Sequence, residues 1–184
     1  MDFTMVKRAN FFFIIAMVVF GVIVQAEEYK SPVYTQYAVE IIRSFSKQVK
    51  KEFGFECAGS GGEMPFDVEK IDVIFVVYQD ATVQQARELE VKLTEKFAQA
   101  INAHEKIKPF LRENPFPARR ACVSLSFEKP KKPSLSIKTQ KVKYVFQDNG
   151  IIYYQGENPL NQYVYKDLKD EIYEEALKIV QKSK

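Results

Sequence analysis

Apolar residues return every three or four positions between Tyr34 and Phe53, where Tyr34, Tyr37, Ile41, Phe45, Val49 and Phe53 form one stripe. That spacing predicts an amphipathic helix. Ser31-Pro32 suits its start, with serine as cap and proline at the first helical position. Gly54 suits its end, and Lys47, Lys50 and Lys51 in the last turns complement the helix dipole. The period changes at Ile71–Tyr78, I-D-V-I-F-V-V-Y, a nearly continuous β-branched and apolar run. Such a run predicts a central strand covered on both faces.

Thr82 and Gln85 have capping-box spacing. Ala86, Leu89, Leu93, Phe97 and Ile101 then make the stripe of a second helix, with Arg87, Glu88, Glu90, Lys92, Glu95 and Lys96 on its solvated face. Three prolines between Ile107 and Pro117 stop regular helix. Ala121–Phe127 alternates, with Val123, Leu125 and Phe127 on one face and Cys122, Ser124 and Ser126 on the other, as in a half-buried strand. Val142–Phe146 and Ile151–Tyr154 flank Asp148-Asn149-Gly150, a hairpin signal, since asparagine and glycine tolerate positive φ. A last helix is expected from about Asp167 to Lys182, acids first and lysines last. The order α-β-α-β-β-β-α predicts a single α+β domain, a mixed four-stranded sheet packed by three helices, with a right-handed crossover between parallel neighbours.

The first 26 residues follow another logic. Lys7 and Arg8 precede an apolar run of fourteen residues, Phe11–Val24, and then Val24-Gln25-Ala26. A charged start, a short apolar run and an A-x-A-like exit predict a secretory signal peptide, and the run is shorter than the roughly 20 residues of a spanning helix. The expectation is a signal peptide at 1–26 and one exported domain at 27–184, periplasmic or extracellular. Without residues 1–26 the chain keeps 25 basic and 23 acidic residues. So even a balance argues against a nucleic-acid partner.

Export permits a disulfide between Cys57 and Cys122, though two buried free thiols fit the sequence as well. Other chemistry is thinly supported. A Cys57–His104 dyad places the cysteine after a helix end, where no dipole favours thiolate. Gly59-Ser60-Gly61-Gly62 lacks the lysine and following helix of a phosphate loop, and Glu56 and Glu63 flank it. One histidine and two distant cysteines make no metal set, and no cofactor is implied. No two acids are singled out as a hydrolytic pair. Arg112, Arg119 and Arg120 cluster around the proline-rich turn, where guanidinium forks either recognise carboxylate or phosphate or tie the loop to backbone carbonyls. The parallel crossover is expected to bring them to the same sheet end as Gly61 and Gly62. Lys129, Lys131, Lys132, Lys138, Lys141 and Lys143 either guard a sheet edge or meet an anionic membrane surface peripherally.

Gly61-Gly62-x-Met64-Pro65, the strand after it, and the segment Ile101-Asn102, Lys106-Ile107, Pro109-Phe110-Leu111, Pro115-Phe116 carry a resemblance. They resemble a group of small exported bacterial proteins with a signal peptide, a glycine-glycine turn before a strand and an I-N…I-[KR]-P-[FY]-L…P-F segment before the next. The resemblance spans about 70 residues, implies export, and brings no catalytic residues. The expected function is therefore binding of a protein or anionic ligand at the junction of the glycine-rich loop with Pro109–Arg120. The alternatives are an exported hydrolase with its cleft there and a peripheral membrane protein held by Lys129–Lys143.

Overall fold

The computed structural model describes residues 31–128, 141–161 and 164–183, and Pro32–Lys184 form one folded unit. The signal peptide expected at 1–26 and four lysines of the basic stretch, Lys129, Lys131, Lys132 and Lys138, lie outside the described residues. Helix α1 (Val33–Phe53) leads into strand β1 (Glu56–Glu63), β2 (Lys70–Val77), helix α2 (Val83–Ala103), β3 (Ala121–Phe127), β4 (Val142–Asp148), β5 (Ile151–Gly156), β6 (Lys166–Ile172) and helix α3 (Tyr173–Lys182). The fold is α+β with three helices and a mixed sheet, but the sheet has six strands, in the order β1-β2-β3-β4-β5-β6, rather than the expected four.

The crossover lies where the pattern puts it: β2 and β3 pair in parallel on either side of α2, and every other pair is antiparallel. The Thr82–Gln85 capping box forms. Gly54 closes α1 in the left-handed region at φ 75°. Asn149 (φ 47°) and Gly150 (φ 80°) turn the β4–β5 hairpin. Ser31 does not cap α1. Pro32 takes that position without a side-chain bond, and its carbonyl accepts from Thr35 N–H at 3.0 Å.

The two unexpected strands share a cause. β1 reads E-C-A-G-S-G-G-E and is exposed along almost its whole length, so it has no apolar alternation to read. Its strand conformation comes from backbone pairing with β2. β6 reads K-D-L-K-D-E-I, and its charge sequence imitates a helix start. It pairs with β5, and α3 begins only at Tyr173.

The helices cover one face of the sheet. Ile71, Val73, Phe75 and Val77 of β2 are buried beneath them, while Lys70, Asp72, Ile74 and Val76 on the other face are only partly covered, so β2 is not covered on both faces. Phe45 of α1 stacks on Phe97 of α2 at 4.7 Å and meets Phe75 edge-on at 6.0 Å, which joins both helices to the sheet. Glu90, expected on the solvated face of α2, is fully buried, and neither of its carboxyl oxygens has a hydrogen-bond partner among the described residues.

Candidate functional site

The sheet ends in two different margins. β6 carries lysines and acids along its length, which discourages pairing with a foreign strand. β1 has charge only at its two ends and small residues between them. Its pairing with β2 slips by one residue between Cys57 and Gly59. Gly62 packs tightly, because a Cβ there would lie 2.5 Å from the Lys70 carbonyl oxygen and 2.8 Å from Met64 Cε. Gly61 is open, with Asp72 Oδ2 the nearest atom at 3.8 Å.

Beside this margin α1 and β1 enclose a groove of about 650 Å³. Val39 and Ile42 give it apolar surface, Arg43, Lys47 and Lys50 give it positive charge, and Cys57 and Ser60 lie on the strand side. The three cations recur at intervals of four and three on one face of α1. None of them has an ion partner among the described residues. Glu56 lines the Lys50 end of the groove, and Tyr78 O–H donates to its carboxylate at 3.4 Å. The sequence signal was available, since the three cations flank the apolar stripe of α1. Lys47 and Lys50 have a sufficient explanation in the helix dipole, and nothing in the spacing sets Arg43 apart from other surface cations.

The arginines expected to take an anion do lie at the sheet end where β2 and β3 begin, two strands from Gly61 and Gly62. Their charge is already matched. Arg112 pairs with Asp67 at 3.2 Å and Glu69 at 2.5 Å. Arg120 pairs with Glu113 at 2.6 Å and donates to the Glu69 carbonyl at 3.1 Å. Arg119 pairs with the other Glu113 oxygen. Hydrogen bonds from Arg120 and Arg119 hold the Glu113 carboxyl below its ordinary range. Three guanidinium groups thus face three carboxylates of the same chain, and the cluster fixes the proline-rich segment to the start of β2.

The disulfide does not form: both cysteines are free, Cys57 exposed and Cys122 buried. Cys57 pairs with Phe75 and Cys122 with Asp72, on opposite sides of β2. Two strand spacings separate them by roughly 9.5 Å before any offset along the strands, beyond the roughly 7 Å that a disulfide spans. Phe75 and Asp72 are three residues apart, so the two thiols also leave the sheet on opposite faces. His104 turns to Glu40 at 3.5 Å and lies against the Tyr37 ring, so α1 and not Cys57 takes its side chain.

On the partly covered sheet face, Lys70 bridges Glu63 at 2.5 Å and Asp148 at 3.3 Å, next to Asp72 and Cys122. The Glu63 hydrogen bond raises Lys70 against the opposing effect of burial. Burial raises Asp72, with Lys70 opposing. Burial, reinforced by the charge of Asp72, pushes the Cys122 thiol far above its ordinary value, so it is protonated and unreactive at neutral pH. Farther across the same face, Phe146 stacks on Tyr153 at 5.0 Å and Tyr144 on Tyr165 at 6.1 Å, so the rings spend their faces on one another. Among the described residues no group of three His, Cys, Asp or Glu side chains is placed to hold a metal. No helix among them is long and apolar enough to cross a membrane. Lys141 and Lys143, the described lysines of the basic stretch, pair with Asp80 at 2.7 Å and Glu157 at 3.1 Å.

No protein-family model, no curated protein and no solved structure matches the chain.

Proposed function

We propose that this protein is an exported, non-catalytic binding module whose recognition surface is the α1–β1 groove together with the bare margin of β1. The observation that carries this reading is the coincidence of two features usually avoided on a quiet surface. One is a sheet margin without lysine or proline to guard it; the other is a row of three cations alongside it that have no ion partner among the described residues. The groove replaces the Pro109–Arg120 junction as the binding surface, because the arginines there are matched by Asp67, Glu69 and Glu113. Export rests on the sequence of residues 1–26, and the mature amino terminus found by mass spectrometry is expected at Glu27.

Capture from the native envelope or culture fluid tests the surface. Bound partners are expected to be lost from the Arg43→Glu/Lys47→Glu variant and kept by the Arg112→Ala/Arg119→Ala/Arg120→Ala variant. The opposite pattern would return the site to the arginine segment.

A further inference from the structure

We infer that the groove accepts an extended acidic peptide, added to β1 as a seventh strand, with two carboxylate side chains at i and i+2 facing Arg43 and Lys47. The inference rests on the groove being the recognition surface and names its occupant. An edge strand offers a row of backbone donors and acceptors that an incoming strand satisfies without regard to sequence. On β1 the side chains between Glu56 and Glu63 are no larger than cysteine, so nothing bulky holds an incoming backbone away.

Selectivity then comes from α1. Arg43 and Lys47 are four residues apart, which is about 6 Å along a helix axis. Alternate residues of a strand are about 6.7 Å apart on one face. The two repeats nearly match, so carboxylates at i and i+2 meet successive cations. The groove wall from Val39 to Lys50 is about 17 Å long, the reach of about five extended residues. The Lys47–Lys50 interval of three residues is only about 4.5 Å along the axis, a poorer match, which places the pair of carboxylates toward Arg43.

A second copy of the chain fits this edge poorly. Antiparallel pairing of β1 with itself sets Glu56 opposite Glu63 at both ends, and like charges directly opposite are destabilising.

The test uses the mature protein and capped peptides, read by fluorescence polarisation and by amide chemical shifts. TEVEVT is expected to bind about tenfold more tightly than TQVQVT, the gain from two solvent-edged ion pairs. It is also expected to outbind TEVVET, whose acids fall on opposite faces. The preference should vanish in Arg43→Gln/Lys47→Gln, and the amide shifts should concentrate in β1. Equal binding of the three peptides, or a preference that survives the double substitution, overturns the inference. So does a dimer in sedimentation that the edge-guarding Ser60→Lys substitution dissolves. If the peptides show no preference while Arg43→Glu/Lys47→Glu still abolishes capture from the envelope, the binding surface stands and the strand-addition inference falls. If capture also survives that variant, both fall.

Discussion

Glu90 sits in the core with 0% of its surface exposed, and neither of its oxygens has a hydrogen-bond partner among the described residues. Burial therefore pushes its carboxyl well above the ordinary value, against a smaller opposing effect of Thr94 one turn along the helix. In the folded protein the group keeps a proton that the unfolded chain releases near pH 4.5. Between that value and the raised folded one, the native state holds more protons, so its stability falls as pH rises. The slope is about 1.4 kcal/mol per pH unit across the window, and the loss is complete above the folded value. Glu90→Gln keeps the shape of the neutral form and removes the proton, so the slope disappears. Near pH 4 the variant and parent should agree to within about 1 kcal/mol, and by pH 8 the variant should be the more stable. Glu90→Met also removes the unsatisfied carboxyl and should gain about 1–3 kcal/mol at neutral pH. The chain has ten tyrosines and no tryptophan, so urea unfolding is best followed by far-ultraviolet circular dichroism from pH 4 to 8. Parallel stability profiles for parent and Glu90→Gln would refute the reasoning, because the difference between them isolates this one proton.

Gly62→Ala should lower the urea midpoint clearly, since its Cβ meets the Lys70 carbonyl oxygen at 2.5 Å, whereas Gly61→Ala should be nearly silent; equal midpoints would refute the packing argument. Arg87 chelates Glu171 at 2.6 and 2.9 Å. Burial pushes the Glu171 carboxyl up, but bonds from Arg87, Lys169 and Tyr154 outweigh it and hold it low. Arg87→Ala leaves that buried carboxylate with weaker partners and should cost about 3 kcal/mol by urea unfolding. Intact mass without reductant should show two free thiols, with Cys57 alkylating in the native state and Cys122 only on unfolding; simultaneous alkylation would contradict their placement.

The sequence pattern was informative where side chains decide the backbone. The Thr82–Gln85 box, Gly54 and Asn149-Gly150 are local devices, and each acts as its chemistry requires. β1 was illegible because its conformation is imposed by β2, a partner about ten residues away, through groups that every residue carries. β6 was hidden by charges that serve a sheet margin and a helix start alike. Glu90 shows a different failure. It stands four residues after Ala86 and three before Leu93, so helical periodicity placed it on the buried stripe, and only its polarity argued otherwise. The arginines were correctly located at the sheet end. Their carboxylate partners, Asp67, Glu69 and Glu113, converge there only through the fold, so a surplus of charge was expected where the structure has balance.

The contrast between β1 and β6 also sets a limit on assembly. A sheet with two bare margins is a monomer unit for a filament, since each addition leaves a fresh margin for the next. Here one side is closed by its own lysines and acids. Joining at β1 consumes the single reactive side, and growth ends after one step. Two chains joined in this way leave no bare margin of their own, so the protein can present an unguarded strand without seeding its own polymer.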